Sequence, residues 1–127
     1  MSTAGHELQA KVIEVLGGVA GLGTHSLAPV QAAYPFATVD AGLETDWSHK
    51  SGAGREVRLA VTIRDKGERP ERVQQIEAQA EAAIAGLVGA TPSWAVVSLR
   101  FLRSRLVRQK DTGWAAVIEY RARMLQL

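Results

Sequence analysis

The sequence contains no cysteine. Disulfide frameworks, thiolate metal sites and cysteine nucleophiles are therefore excluded. It also lacks any apolar run approaching the roughly 18 residues that a membrane-spanning helix requires. The opening MSTAGHELQAKVIEVL sets His6, Glu7, Lys11 and Glu14 among its apolar residues, which breaks the pattern of a signal peptide and predicts a cytoplasmic product. Aromatic residues make up only 6% of the chain, so surfaces for stacking nucleic-acid bases are scarce. Acids are missing from one stretch altogether. LRFLRSRLVRQK carries Arg100, Arg103, Arg105, Arg108 and Lys110 with no carboxylate between them.

What is present fits one domain spanning residues 1–127, long enough to bury a core without covalent staples. The formal charge is only +2, so no strong average field attracts a polyanion; the charge matters through its distribution. Arginine outnumbers lysine 11 to 4 beside abundant alanine and glycine. A GC-rich genome produces the same bias, which discounts part of the arginine signal.

Leu8, Val12, Val15, Leu16 and Val19 recur on one helical face, and Gly17-Gly18 mark its end. A Gly- and Pro-punctuated connection follows, with room for a short extended piece. From Phe36 to Thr45, Ala37, Val39, Ala41 and Leu43 alternate with polar or small residues, which predicts a half-buried strand. In REVRLAVTIRD the alternation is strict, with Val57, Leu59, Val61 and Ile63 on one side and Glu56, Arg58, Thr62 and Arg64 on the other.

A second helix is predicted from about Arg69 to Val88, with Pro70 in its first turn and Val73, Ile76, Ala80, Ala83, Ile84 and Leu87 as its apolar stripe. Two strands close the chain. The first sets Ala95, Val97, Leu99 and Phe101 inward; the second sets Trp114, Ala116, Ile118, Tyr120 and Ala122 inward, with QKDTG as the turn between them. The order α-β-β-α-β-β predicts an α+β domain: an antiparallel sheet of about four strands with two helices packed on one face.

Glu44 to Glu56, ETDWSHKSGAGRE, crowds a Trp, a His, a Lys, acids and glycines into one loop. A phosphate loop must lead into a helix, whereas this GAG leads into a strand. His49 has Asp46 and Glu44 nearby, but His6 and His25 sit in other elements, so no metal-ligand spacing results. A hairpin loop is the reading that remains. Asp111 to Gly113 spell the DTG of aspartic proteases, but that chemistry needs a second aspartate. Ser26, Ser48 and Ser93 lack the surroundings of a nucleophile. No catalytic, cofactor-binding or metal residue is assigned. Trp47, in a polar loop, is either tucked beneath it or an anchor for a neighbour. The basic hairpin reads more readily as a solvated or partner-facing surface than as a nucleic-acid site.

Taken in order, the elements resemble the tail terminator, or tail-completion, proteins of long-tailed bacteriophages and gene transfer agents. An amphipathic first helix, the Ala28-Pro29 step, YPFATVDAG from Tyr34 to Gly42, DWS at Asp46 to Ser48, VRLAVTIRDKG, AEAAIAGL and the final double strand run collinearly over about residues 6 to 124.

The resemblance implies a structural virion protein with no enzyme activity and no cofactor. It implies a homo-oligomeric ring, commonly of six copies, at the head-proximal end of the tail tube. There the ring stops tube growth and meets the head-side connector or stopper, with DNA only as passing cargo and no membrane. A closed ring needs contacts between unlike faces. Trp47, His49, Lys50 and Arg55 on the first hairpin, and Arg103, Arg105, Arg108 and Lys110 on the second, are the expected interface residues. The alternatives are a small nucleic-acid-binding module using the basic hairpin 100–110, or another head–tail ring protein such as a stopper or tube subunit.

Overall fold

A computed structural model of the chain describes residues 2–26, 33–110 and 113–127. Helix α1 covers Ala4–Leu16. It begins where the Thr3 hydroxyl accepts the His6 amide at 3.1 Å, an N-cap that satisfies one of the free donors of the first turn. Ala4, Leu8, Val12 and Leu16 lie fully buried along one stripe, and Gly17 caps the end. Among the described residues the strands are β1 (Gly23–His25), β2 (Phe36–Asp46), β3 (Gly54–Lys66), β4 (Gly89–Ala90), β5 (Trp94–Gln109) and β6 (Gly113–Gln126), with helix α2 (Glu71–Ile84) between β3 and β4.

The expected four-stranded antiparallel sheet in the order α-β-β-α-β-β is therefore not the fold. The sheet has six strands in the order β1-β2-β3-β6-β5-β4, and β1 runs parallel to β2. Two short strands make the difference. β1 is three residues and β4 two, too short for a hydrophobic alternation to be seen, and both are held by backbone pairing at the sheet's ends. The second helix also stops earlier than Val88. Gly86 takes φ 74°, a left-handed conformation that suits glycine, and the chain turns so that Gly89–Ala90 pair with Val96 and Ala95.

The strict alternation of β3 and β6 holds. Val57, Leu59, Val61 and Ile63 face Ala122, Tyr120, Ile118 and Ala116 across the ladder, and all are buried. Both helices pack on this side, forming one core with Leu8, Val12 and Leu16 of α1 and Val73, Ile76 and Ile84 of α2. Each large side chain so buried contributes about 1.5–3 kcal/mol.

β-bulges shift the alternation elsewhere. In β2 the register slips between Asp40 and Leu43, so Leu43, expected inward, is 60% exposed. In β5 slips at Val97 and Leu102 put Trp94 and Val96 in the core and leave Val97 exposed. Phe101 keeps the inward side, standing edge-on to Tyr120 at 6.0 Å, but lies 49% exposed.

The two long edges of the sheet differ. Gln9 of α1 donates to the Val39 carbonyl of β2 at 2.7 Å, so the first helix lies against that edge. β4 covers only the first residues of β5, and beyond Val97 the outer side of β5 pairs with no strand among the described residues. The Ala28-Pro29 step and Asp111 lie outside the described residues.

Candidate assembly surfaces

The loop between β2 and β3 is a tight turn built on backbone bonds. Trp47 donates to Gly54 at 2.9 Å, and His49 and Gly52 form a small bridge. Ser48 helps twice, donating to Asp46 at 2.6 Å and accepting from the Gly54 amide at 3.1 Å. The turn demands glycine at position 54, where a Cβ would stand 2.3 Å from the Trp47 carbonyl oxygen. Trp47 itself is half-buried. Its ring meets His49 edge-on at 4.5 Å and lies 5.4 Å beneath the guanidinium of Arg123. His49 and Lys50 are exposed at the tip, and Arg55 reaches Glu44 at 3.6 Å.

The second hairpin lies at the other end of the molecule. Gly54 pairs with Leu125 and Lys66 with Gly113, so the turn of Trp47 and the end of β5 near Lys110 are separated by the length of β3. Thirteen residues of strand span about 40 Å. The structure therefore divides the eight candidate residues into separate surfaces. Arg108 lies 5.0 Å over the Trp114 ring and donates to the Glu68 carbonyl at 3.4 Å, and Trp114 donates to that same oxygen. Lys110 borders a depression of about 510 Å³ with Tyr34, Arg64 and Lys66. Arg103 is ion-paired with Glu119, and Arg105 is exposed without an ion-pair partner among the described residues.

Strand pairing shows a feature that position in the chain did not. Arg58 of β3 stands directly opposite Arg121 of β6, and Arg121 directly opposite Arg100 of β5. Leu43 of β2 ends the same row beside Arg58. This is the face away from the helices, where Arg64, Arg103, Arg105 and Arg123 also stand and outnumber the acids Asp40, Glu56 and Glu119. The face is dished: a depression of about 350 Å³ touches Leu43 on β2, Arg58 on β3, Glu119 on β6 and Leu102 on β5.

Like charges directly opposite on neighbouring strands are destabilising. Glu56 relieves part of the cost, at 3.8 Å from Arg121 and 3.2 Å from Arg123. Even so, the Nε of Arg121 is buried without a hydrogen-bond partner, and Arg58 and Arg100 form no ion pair among the described residues. Arg58 and Arg121 were legible as outward residues of their strands, but their adjacency depends on register, which alternation alone does not supply.

On the helix side, α2 places Glu77 and Glu81 one turn apart near Tyr120. Burial raises the Glu77 carboxyl above its ordinary value and the neighbouring Glu81 adds to this, while the Ser104 hydroxyl opposes it. Tyr120 is pushed up to about 12 by burial, then by Glu81 and Glu77. Beside them a depression of about 440 Å³ runs between Glu81, Ala82 and Ala85 of α2 and its flank and Leu99 and Phe101 of β5.

Among the described residues, no group of three or more His, Asp or Glu is placed to hold a metal ion. No helix is long and apolar enough to cross a membrane. One face of the sheet lies under the helices, while the charged face and, among the described residues, the outer side of β5 beyond Val97 are uncovered. The chain belongs to the family whose model is described as Tail completion protein gp17, which matches residues 8–125. Membership makes it a structural protein of a phage-type tail. The fold is shared with a protein in the structure "Virion of native gene transfer agent (GTA) particle", with a TM-score of 0.80 and 22% identity over 99% of this chain and 100% of that one. No curated protein matches the chain.

Proposed function

We propose that copies of this chain close into a ring that caps the head-proximal end of the tail tube. The ring ends tube growth and offers its other side to the head-side connector. The match of residues 8–125 to the tail-completion family carries this reading. One feature of the fold supports it: Trp47 and Lys110 lie at opposite ends of β3 and β6, so one subunit has candidate contact residues at two ends. A ring between a tube and a connector needs contacts in both directions, and six copies is the number that the resemblance implies.

The reading is tested by polymerising the tail tube protein of the same particle with and without this chain. Electron micrographs should show tubes that stop at a defined length and carry a cap at one end. Tubes that grow unchanged and uncapped in its presence would remove the capping role.

A further inference from the structure

Two regions of the subunit carry charge in arrangements that cost stability when left alone. One is the row of Arg58, Arg121 and Arg100 across the open face of the sheet, with a buried and unpartnered Nε on Arg121. The other is the Glu77–Glu81 pair, one helical turn apart on α2, where like charges repel. Each lies beside exposed apolar surface. Leu43, 60% exposed, and Leu102, 38% exposed, border the depression of the arginine face. Phe101, 49% exposed, stands beside Glu81 at the open edge of β5. The sheet lies between the two regions, so within one chain they never meet.

We propose that the open arginine face of one subunit receives the α2–β5 side of a second copy, with Phe101 entering the depression between Leu43 and Leu102, and Glu77 and Glu81 meeting Arg58 and Arg100. The proposal rests on the ring reading and names its subunit contact. Charge complementarity selects the occupant, because this chain itself bears a carboxylate pair beside an exposed aromatic side chain. A contact between unlike faces repeats head to tail, and such a repeat closes into a ring when the rotation allows. The contact also brings further carboxylates beside Arg121, whose Nε has, among the described residues, only Glu56 at 3.8 Å, and it covers an exposed aromatic side chain.

Charge reversal on each side separately provides the test. Arg100 is exposed and Glu81 half-buried, so circular dichroism checks that Glu81→Lys and Arg100→Glu each fold. Each alone should raise the concentration for half-assembly by about tenfold or more, since like charges then face one another. Mixing the two variants in equal amounts should restore assembly, because each reversed face finds a complementary one.

Wild-type rings left unaffected by either reversal, or not restored by mixing, would overturn the contact while leaving the ring standing. Loss of binding to a DNA duplex at low salt in Arg100→Glu, with ring mass unchanged, would assign the arginine face to nucleic acid and also overturn it. Wild-type protein that stays monomeric with and without tube protein would remove the ring reading and the contact together.

Discussion

The buried carboxylate of Glu7 accepts the Thr91 hydroxyl at 2.6 Å, tying the first helix to the turn before β5 across 84 residues of sequence. The same oxygen accepts the Ser93 amide at 2.8 Å. Burial pushes the Glu7 carboxyl upward, but the bonds from Thr91, Ser93 and Trp94 outweigh it and hold its pKa below the ordinary glutamate value. A lowered carboxylate contributes stability that is present above its unfolded value and lost as pH falls through the folded one.

Glu7→Ala should therefore lower the unfolding free energy by about 1–3 kcal/mol at neutral pH, measured by urea titration. The wild-type advantage should shrink as pH falls through the lowered pKa of Glu7. An equal loss at all pH values would show that packing, not the charged bonds, explains it.

Gly5 is where α1 comes closest to β2. A Cβ there would stand 2.3 Å from the Ala41 carbonyl oxygen and 2.7 Å from a Glu44 carboxylate oxygen. Gly5→Ala should push the helix off the strand and cost about 1–3 kcal/mol, the usual range for overpacking. Thermal unfolding compared with the exposed Gly52→Ala, where nothing stands within 4 Å, gives the contrast.

Tyr120 should titrate late. Its phenol is pushed up to about 12, so the ultraviolet signal of tyrosinate should show one of the two tyrosines ionising well above the ordinary value of about 10. Because the folded value is raised, the neutral phenol contributes stability below its unfolded value, and that contribution is lost as pH rises through about 12. Glu81→Gln should bring the late step down, and Tyr120→Phe should abolish it. A late step that survives Tyr120→Phe belongs to another residue.

How much of this was legible in the sequence follows from what each signal measures. β3 and β6 were readable because both alternate through their centres, with Val57, Leu59, Val61 and Ile63, and Ala116, Ile118, Tyr120 and Ala122, all buried. β2 and β5 were readable as strands but not in parity, since a bulge adds a residue without leaving a hydrophobic mark, as at Leu43 and Val97. β1 and β4, three and two residues long, are held by backbone pairing and are too short to show an alternation. Of the candidate surfaces, the basic run of β5 was visible as a run. The row it forms with Arg58 and Arg121 was not, because it is a property of three strands at once.

Trp47 packs within its own turn, and the assembly role expected of it can be measured separately. Arg123 lies 5.4 Å over its ring, a contact worth about 0.5–1 kcal/mol at an exposed site. Trp47→Ala should therefore cost the subunit about that much stability. It should weaken assembly more, by about 2 kcal/mol or above, if the ring anchors a neighbour or the tube. Sedimentation of the variant against wild type separates the two effects, and unchanged assembly would confine Trp47 to its own turn.

Particle mass in solution tests the ring most directly, by light scattering after size exclusion, with and without purified tail tube protein. A ring-sized multiple of the 13.6 kDa subunit, free or formed only on tube ends, is the expected result. A persistent monomer that ignores the tube would contradict the account at its centre.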